Sequence, residues 1–306
     1  MKPLLFFVLV LLTANVAIAQ GDGPRSQLLM PIGTTAIVPS YIGLSGNYNF
    51  SGSILVPGAD IEPEVFLITY TRAFAIGDKY AQVWINPMWG SLDGRGTITD
   101  PQTGQPVSID VSASGLADPI VSFKYGLIGT PALGAADFMK TPQEFQLSAF
   151  ASLSLPLGDY DPDRLLNIGT NVLSLRLGMP MVVPFASQKT FLEIHPSVTF
   201  YESNDEPTAG ADERDQSAML QIETHLSHNF SSKLWASVDL RYQNGGETTT
   251  DGVSDDNRKN VLGGGLSGGY SFTPTMSVQA SYGETLNSGD IGDQKMFRAK
   301  FAFLFF

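Results

Sequence analysis

Leu234-Trp235-Ala236-Ser237-Val238-Asp239-Leu240-Arg241-Tyr242-Gln243 alternates without interruption between two faces. Leu234, Ala236, Val238, Leu240 and Tyr242 point one way. Trp235, Ser237, Asp239, Arg241 and Gln243 point the other, the period of two that a strand imposes on its side chains. The two preceding segments repeat the phase. Leu220, Ile222, Thr224 and Leu226 oppose Gln221, Glu223, His225 and Ser227, and Leu192, Ile194, Val198 and Phe200 oppose Glu193, His195, Ser197 and Thr199. An apolar face backed by a charged one suits a sheet with lipid on one side and water on the other. Lipid offers no partner to a free backbone group, so such a sheet must close on itself.

Working outward, strands are expected near 36–50, 62–76, 79–90, 115–127, 144–156, 171–185, 189–202, 217–230, 233–244, 258–272, 275–287 and 294–306. Ile76-Gly77-Asp78-Lys79, Ala186-Ser187-Gln188-Lys189, Phe230-Ser231-Ser232-Lys233 and Phe272-Thr273-Pro274-Thr275 read as tight turns. Between them fall long, largely acidic loops near 51–61, 91–114, 157–170, 203–216, 245–257 and 288–293. Short periplasmic turns and long outer loops describe an all-β transmembrane antiparallel barrel of about 12 strands, with both termini periplasmic. The joint at 128–143 is long on the short-turn side and reads as irregular or briefly helical. In the second strand Arg72 shares a face with Phe66, Ile68 and Tyr70, which blurs its phase. The terminal aromatic Phe306 suits a barrel-assembly signal but falls in the phase of Arg298 and Lys300.

Residues 1–19 have the form of a secretory signal: Lys2, an apolar run from Leu4 to Leu12, and Ala17-Ile18-Ala19 before Gln20. Residues 20–35 form a separate segment, with Leu28-Leu29-Met30-Pro31-Ile32 asking for burial. It reads as a lumenal plug in preference to a periplasmic tail, and the barrel occupies 36–306. Without cysteine the chain has neither disulfides nor a thiol nucleophile. A formal charge of −12 argues against nucleic acid as a partner. The acids cluster in the loops, so this charge describes one rim.

Four stretches carry a family resemblance. They are Gly115-Leu116-Ala117-Asp118-Pro119, the run from Pro156-Leu157-Gly158-Asp159-Tyr160 to Gly169-Thr170-Asn171, Glu213-Arg214-Asp215-Gln216, and Gly245-Gly246-Glu247-Thr248-Thr249-Thr250-Asp251-Gly252. Together they resemble the outer-membrane transporter family of the meta-pathway of phenol degradation, over roughly residues 90 to 260. The resemblance implies an outer-membrane barrel that passes aromatic or other apolar compounds. It brings no agreed binding residues.

The inward phase collects Glu193, His195, Glu223, His225, Asp239, Arg241, Lys124 and Arg176 as candidate lumen-lining residues, with Arg298 and Lys300 in similar phase. These charges read as cross-strand pairs that fill a narrow interior, ahead of a selective constriction. A metal or proton site at His195 and His225 is weighed below a satisfied polar network, and no metal or cofactor is expected. Asp159-Tyr160-Asp161-Pro162-Asp163 lacks the glycine and closing glutamate of a calcium loop and reads as turn chemistry. Gly263-Gly264-Gly265-Leu266-Ser267-Gly268 is followed by strand rather than helix, which rules against dinucleotide binding; glycines there suit curvature or close approach of a plug. A phospholipase-like enzyme would need a serine, a histidine and an orienting group together on the lipid face. His228 faces outward while its neighbours Ser227 and Asn229 face inward, so no enzyme is expected.

The expected function is passive passage of small apolar or aromatic compounds across the bacterial outer membrane. A narrow channel for polar or anionic solutes and a non-conducting structural barrel are the alternatives. The expected partners are outer-membrane lipid and lipopolysaccharide, the barrel-assembly machinery, and the solute.

Overall fold

The structure, a computed structural model, describes residues 21–47, 60–99, 106–164, 166–287 and 294–306. The signal expected over 1–19, most of the loop expected at 51–61 and that at 288–293 lie outside the described residues. The strands are β1 (Thr35–Gly46), β2 (Asp60–Ile76), β3 (Lys79–Thr99), β4 (Pro106–Ile128), β5 (Gln146–Ser154), β6 (Ser174–Gly178), β7 (Met181–Phe185), β8 (Thr190–Tyr201), β9 (Arg214–Gln216), β10 (Met219–Asn229), β11 (Leu234–Gly245), β12 (Thr248–Thr250), β13 (Val253–Ser254), β14 (Lys259–Thr273), β15 (Met276–Asn287) and β16 (Gln294–Phe305).

Antiparallel pairing runs from each barrel strand to the next, and β1 pairs with β16 from Thr35↔Phe305 to Gly46↔Gln294. That pairing closes the sheet and leaves no edge exposed to lipid. β6 and β7 both lie between β5 and β8 and form one stave, so the closed barrel has 12 strands. The single strand expected over 171–185 is broken at Met179-Pro180, where proline supplies no amide. The ladder bridges the gap, since Met179 N donates to Pro196 O at 3.1 Å and Ser148 N to Pro180 O at 3.0 Å.

Outward side chains form the lipid-facing surface. In β2, Phe66 and Ile68 are 53% and 52% exposed while Val65 is 7% exposed. This settles the phase that Arg72 had blurred. Arg72 is outward too, but it pairs with Thr35 at the periplasmic end, where a long stem can carry its charge to water. Tyr41 packs between Phe66 and Phe297 on this surface, with ring centroids 5.0 and 6.5 Å away.

Three expected loops carry structure of their own. The stretch 91–114 is not a loop, because β3 and β4 stay paired out to Thr99↔Pro106. Its outward positions Asp93, Arg95, Asp110, Ser112 and Ser114 are polar and exposed, so no apolar outer face marks it in the sequence. The loops at 203–216 and 245–257 contribute β9, β12 and β13, which form a second small sheet. On the periplasmic side, 128–143 contains a single-turn helix, α1 (Ala135–Phe138).

One irregularity positions the site. β4 bulges at Asp118 and Pro119, which together face the single residue Pro87 between Asn86 and Met88 of β3. Pro87 and Pro119 both lack the amide a ladder needs, so the register slips there. Inward positions on β4 are Gly115 and Ala117 before the slip, and Ser122 and Lys124 after it. Asp118 stands at the change of phase and is buried.

Candidate functional site

The interior is built from wall side chains and from residues 21–34, which run inside the barrel from the periplasmic end. Ile32 N donates to Leu133 O, Gly33 N to Ala73 O, and Ala73 N to Thr34 O at the entrance. Further in, the segment is irregular, so its main-chain groups have no strand to pair with and would be costly to bury unpartnered. The wall supplies the partners. Glu193 accepts from Arg25 N at 2.7 Å and Gln27 N at 3.2 Å, and Glu223 accepts from Asp22 N at 2.9 Å. Lys124 Nζ donates to Gln27 O at 3.0 Å, Arg298 Nη2 to Gly21 O at 3.0 Å, and Lys300 Nζ to Asp22 O at 3.2 Å. Wall acids thus satisfy amides of the segment, and wall bases satisfy its carbonyls.

Side chains complete the network. Arg176 bridges Asp22 at 3.0 Å and Glu223 at 2.9 Å, and His195 Nδ1 lies 3.1 Å from Asp22. His225 Nδ1 lies 2.9 Å from Asp239, which also accepts from Ser267 Oγ at 2.6 Å. Arg241 donates twice to Gln221 Oε1, at 3.0 and 2.8 Å. Burial opposes the charge of Asp22, but Arg176 and His195 outweigh it and hold its carboxyl well below the usual carboxylate range. The Arg25 guanidinium stacks 4.3 Å above the Trp235 ring. Burial pulls Arg25 down to about 10 against the pull of Glu193, so it stays charged at neutral pH. Trp235 can lie there because Gly269 is bare: a Cβ at that position would overlap the indole. The glycine-rich β14 therefore makes room for the ring on which the segment rests.

Asp22, His195 and Glu223 offer ligand atoms within 4.8 Å of one another. Arg176 already sits between the two carboxylates, and its fixed charge opposes a metal ion at that place.

All eight sequence-nominated side chains lie on the inner face. Lys124, Arg176, Glu193, His195, Glu223, His225 and Asp239 join the cluster around the segment, while Arg241 lies beside it with Gln221. Cross-strand pairs were expected, and Arg176–Glu223 and His225–Asp239 are among them. What sequence reasoning missed is the third participant, the main chain of Gly21 to Gln27. Its trace in the sequence is weak: the charged residues Asp22 and Arg25 just past the expected leader.

The second structured region is at the outer end. Asp118 accepts from Gly158 N at 2.9 Å, Thr170 N at 2.8 Å and Thr170 Oγ1 at 2.6 Å. Asp159 accepts from Leu116 N at 2.7 Å, and a Cβ at Gly115 would overlap its carboxylate. The loop pinned this way places Leu166 and Ile168 against Ile61, Val65, Leu92 and Ala117, an apolar cluster inside the barrel. Asp161 turns to its own loop, accepting from Asp163 N and pairing with Arg164, as turn chemistry requires. Likewise Asp251 accepts from the amides of Asp212 and Glu213, and Gln216 Nε2 donates to Gly246 O.

Beside the N-terminal segment remains a cavity of about 1000 Å³. Its lining extends from Ala36 and Leu304 near the periplasmic end to Asp255 and Asn257 in the outer loops. One wall is apolar, with Val38, Ile42 and Leu44 of β1, Val65 and Leu67 of β2, and Met88 and Leu92 of β3. The opposite wall is polar, with Thr199, Gln221, Arg241 and Gln243.

The family model described as putative MetA-pathway of phenol degradation matches residues 46–290, most of the chain. The chain belongs to that family. The four resembling stretches are thus explained as two tied pairs, 115–119 with 156–171 and 213–216 with 245–252. No protein of the curated set matches this MetA-pathway family member. Among solved structures, an outer-membrane channel of Pseudomonas putida F1 is similar at 18% identity and a TM-score of 0.69, covering 92% of this chain and 99% of that one. The β domain of the Bordetella autotransporter BrkA follows with 10% identity, a TM-score of 0.53, and 89% and 100% coverage. Both share the barrel fold. With its closed sheet and lipid-facing surface, this member is a transmembrane barrel of the bacterial outer membrane.

Proposed function

We propose that the barrel is a passive outer-membrane channel for small apolar or aromatic compounds. The observation that carries this is the cavity of about 1000 Å³ with one apolar wall running along β1 to β3. An open polar pore would have water-facing residues all round. Here a solute with a greasy face meets Ile42, Leu44, Val65, Leu67 and Leu92 instead. Family membership supports the same solute class. The N-terminal segment acts as a plug, held by the candidate residues Lys124, Arg176, Glu193, His195, Glu223, His225 and Asp239, with Arg241 lining the passage beside it. The signal over 1–19 is removed before the barrel assembles with the barrel-assembly machinery among outer-membrane lipid and lipopolysaccharide.

No catalysis is part of this reading. The outward His228 shares a 2.7 Å hydrogen bond with Thr190 and packs edge-on against Phe230, which supports a place in the interfacial belt. The test is whole-cell uptake of labelled toluene in a deletion strain and in the same strain carrying the gene again. Slower uptake on deletion, restored by the gene, is expected; unchanged uptake overturns the passage of neutral apolar solutes.

A further inference from the structure

The apolar wall of the cavity does not merge gradually into the polar one. At the seam stand two cations of β16. Arg298 pairs with Ile42 and Lys300 with Ser40 across the β1–β16 ladder, and Ile42 and Ser40 pair in turn with Val65 and Leu67 of β2. Adjacent strands lie about 5 Å apart, so the two charges border the greasiest part of the wall directly. On their other side Lys300 pairs with Gln279 of β15, where the polar lining begins.

Arg298 and Lys300 differ from Arg176 in their partners. Arg176 is neutralised by two carboxylates. Among the described residues no carboxylate lies within ion-pair distance of Arg298 or Lys300. Their hydrogen bonds go to the uncharged carbonyls of Gly21 and Asp22. Arg298 is 8% exposed, and its Nε is buried without a hydrogen-bond partner among the described residues. A chain of net charge −12 therefore places two cations on the wall of its own lumen that bond only to carbonyls, while the nearby carboxylates of Asp22 and Glu223 are bonded to Arg176. A buried cation without a bonded counter-ion is costly, and a solute anion in contact with it would lower that cost. Backbone carbonyls supply no such charge.

We propose that Arg298 and Lys300 form a carboxylate-binding subsite, and that the solutes of this channel are amphipathic monoanions with a planar apolar body, as aromatic carboxylates are. The carboxylate is held at the seam, and the ring lies against Ile42, Val65 and Leu67. A guanidinium suits this role because its planar fork matches a carboxylate, while Lys300 adds charge without fixed direction. A neutral hydrocarbon would use the apolar wall and leave the cations without a bonded counter-ion. A small inorganic anion would use the cations and leave the wall wet.

This inference rests on the channel reading above, and its test separates the two. Uptake of labelled benzoate and toluene is measured in a porin-deficient strain with the gene deleted, with wild type, and with Arg298→Gln/Lys300→Gln. The expected result is gene-dependent uptake of benzoate, with the benzoate-to-toluene uptake ratio at least about tenfold lower in the double variant than in wild type, since two charged contacts are lost. Gene-dependent uptake of toluene but not benzoate overturns the subsite and keeps the channel. Gene-dependent uptake of benzoate alone keeps the subsite and overturns the neutral solute, and uptake of neither overturns both. In case the double variant fails to fold, wild-type protein in detergent is titrated with benzoate and with toluene, following fluorescence of Trp84, which lines the cavity. Saturable quenching by benzoate that chloride competes away supports the subsite, and an equal response to toluene overturns it.

Discussion

Asp118 shows how much one side chain decides here. The facing prolines Pro87 and Pro119 break the register of β3 and β4, and the slip leaves Asp118 buried with three donors from the 157–170 loop. A carboxylate accepting this many hydrogen bonds cannot be replaced by a methyl group without stranding two partly buried amides and a hydroxyl. Asp118→Ala is therefore expected to destabilise the loop by about 3 kcal/mol. Limited proteolysis in detergent checks it: the variant should be cut between residues 157 and 170 much faster than wild type, with the barrel itself intact. Gly115 belongs to the same joint, since only a residue without a Cβ leaves room for Asp159. The motif around these residues is plain in the sequence. Its purpose is not, because the partner lies some forty residues away in a loop whose acids resemble any solvated loop.

At the scale of elements, the N-terminal segment is a piece of the interior that no strand pattern announces. Its burial follows from Leu28 and Met30, which line the cavity, but its path follows from wall charges matched to its main chain. Asp22 anchors the inner end. Its carboxyl is held below the ordinary range, so the protonated form is the one disfavoured by docking. The docking energy is therefore complete above the unfolded-state pKa of about 3.9 and is lost as pH falls below it toward the depressed folded value. In planar bilayers the unit conductance should stay constant from pH 7 to about 5 and rise only below about 4. A rise already at pH 6 would mean that a group other than Asp22 holds the segment. The broken stave β6–β7 shows the opposite case, an element expected over 171–185 from the sequence whose interruption at Pro180 depended on the ladder around it.

For the whole molecule, closure is the property on which everything else depends. β16 pairs with β15 on one side and β1 on the other, so it completes the circle and also carries Arg298 and Lys300. Removing residues 294–306 would expose two strand edges to lipid, at a cost of several kcal/mol for each unpaired backbone group. The truncated chain is expected to lack the heat-resistant, fast-migrating band of a folded barrel on unheated gels, and its appearance would show that closure does not need β16. The sequence by itself determined the barrel, its strand number, its inward and outward faces and the inward location of Glu193, His195, Glu223, His225, Asp239, Arg241, Lys124 and Arg176. It could do so because lipid on one side and water on the other write a period of two into every membrane-crossing strand. Only the tertiary structure decided that the 91–114 hairpin stands clear of the lipid, that Asp118 holds the inward loop, and that the wall charges serve the main chain of residues 21–27. Those features arise where the outer face of a strand is polar, or where partners distant in sequence meet, and neither condition leaves an apolar periodic trace along the chain.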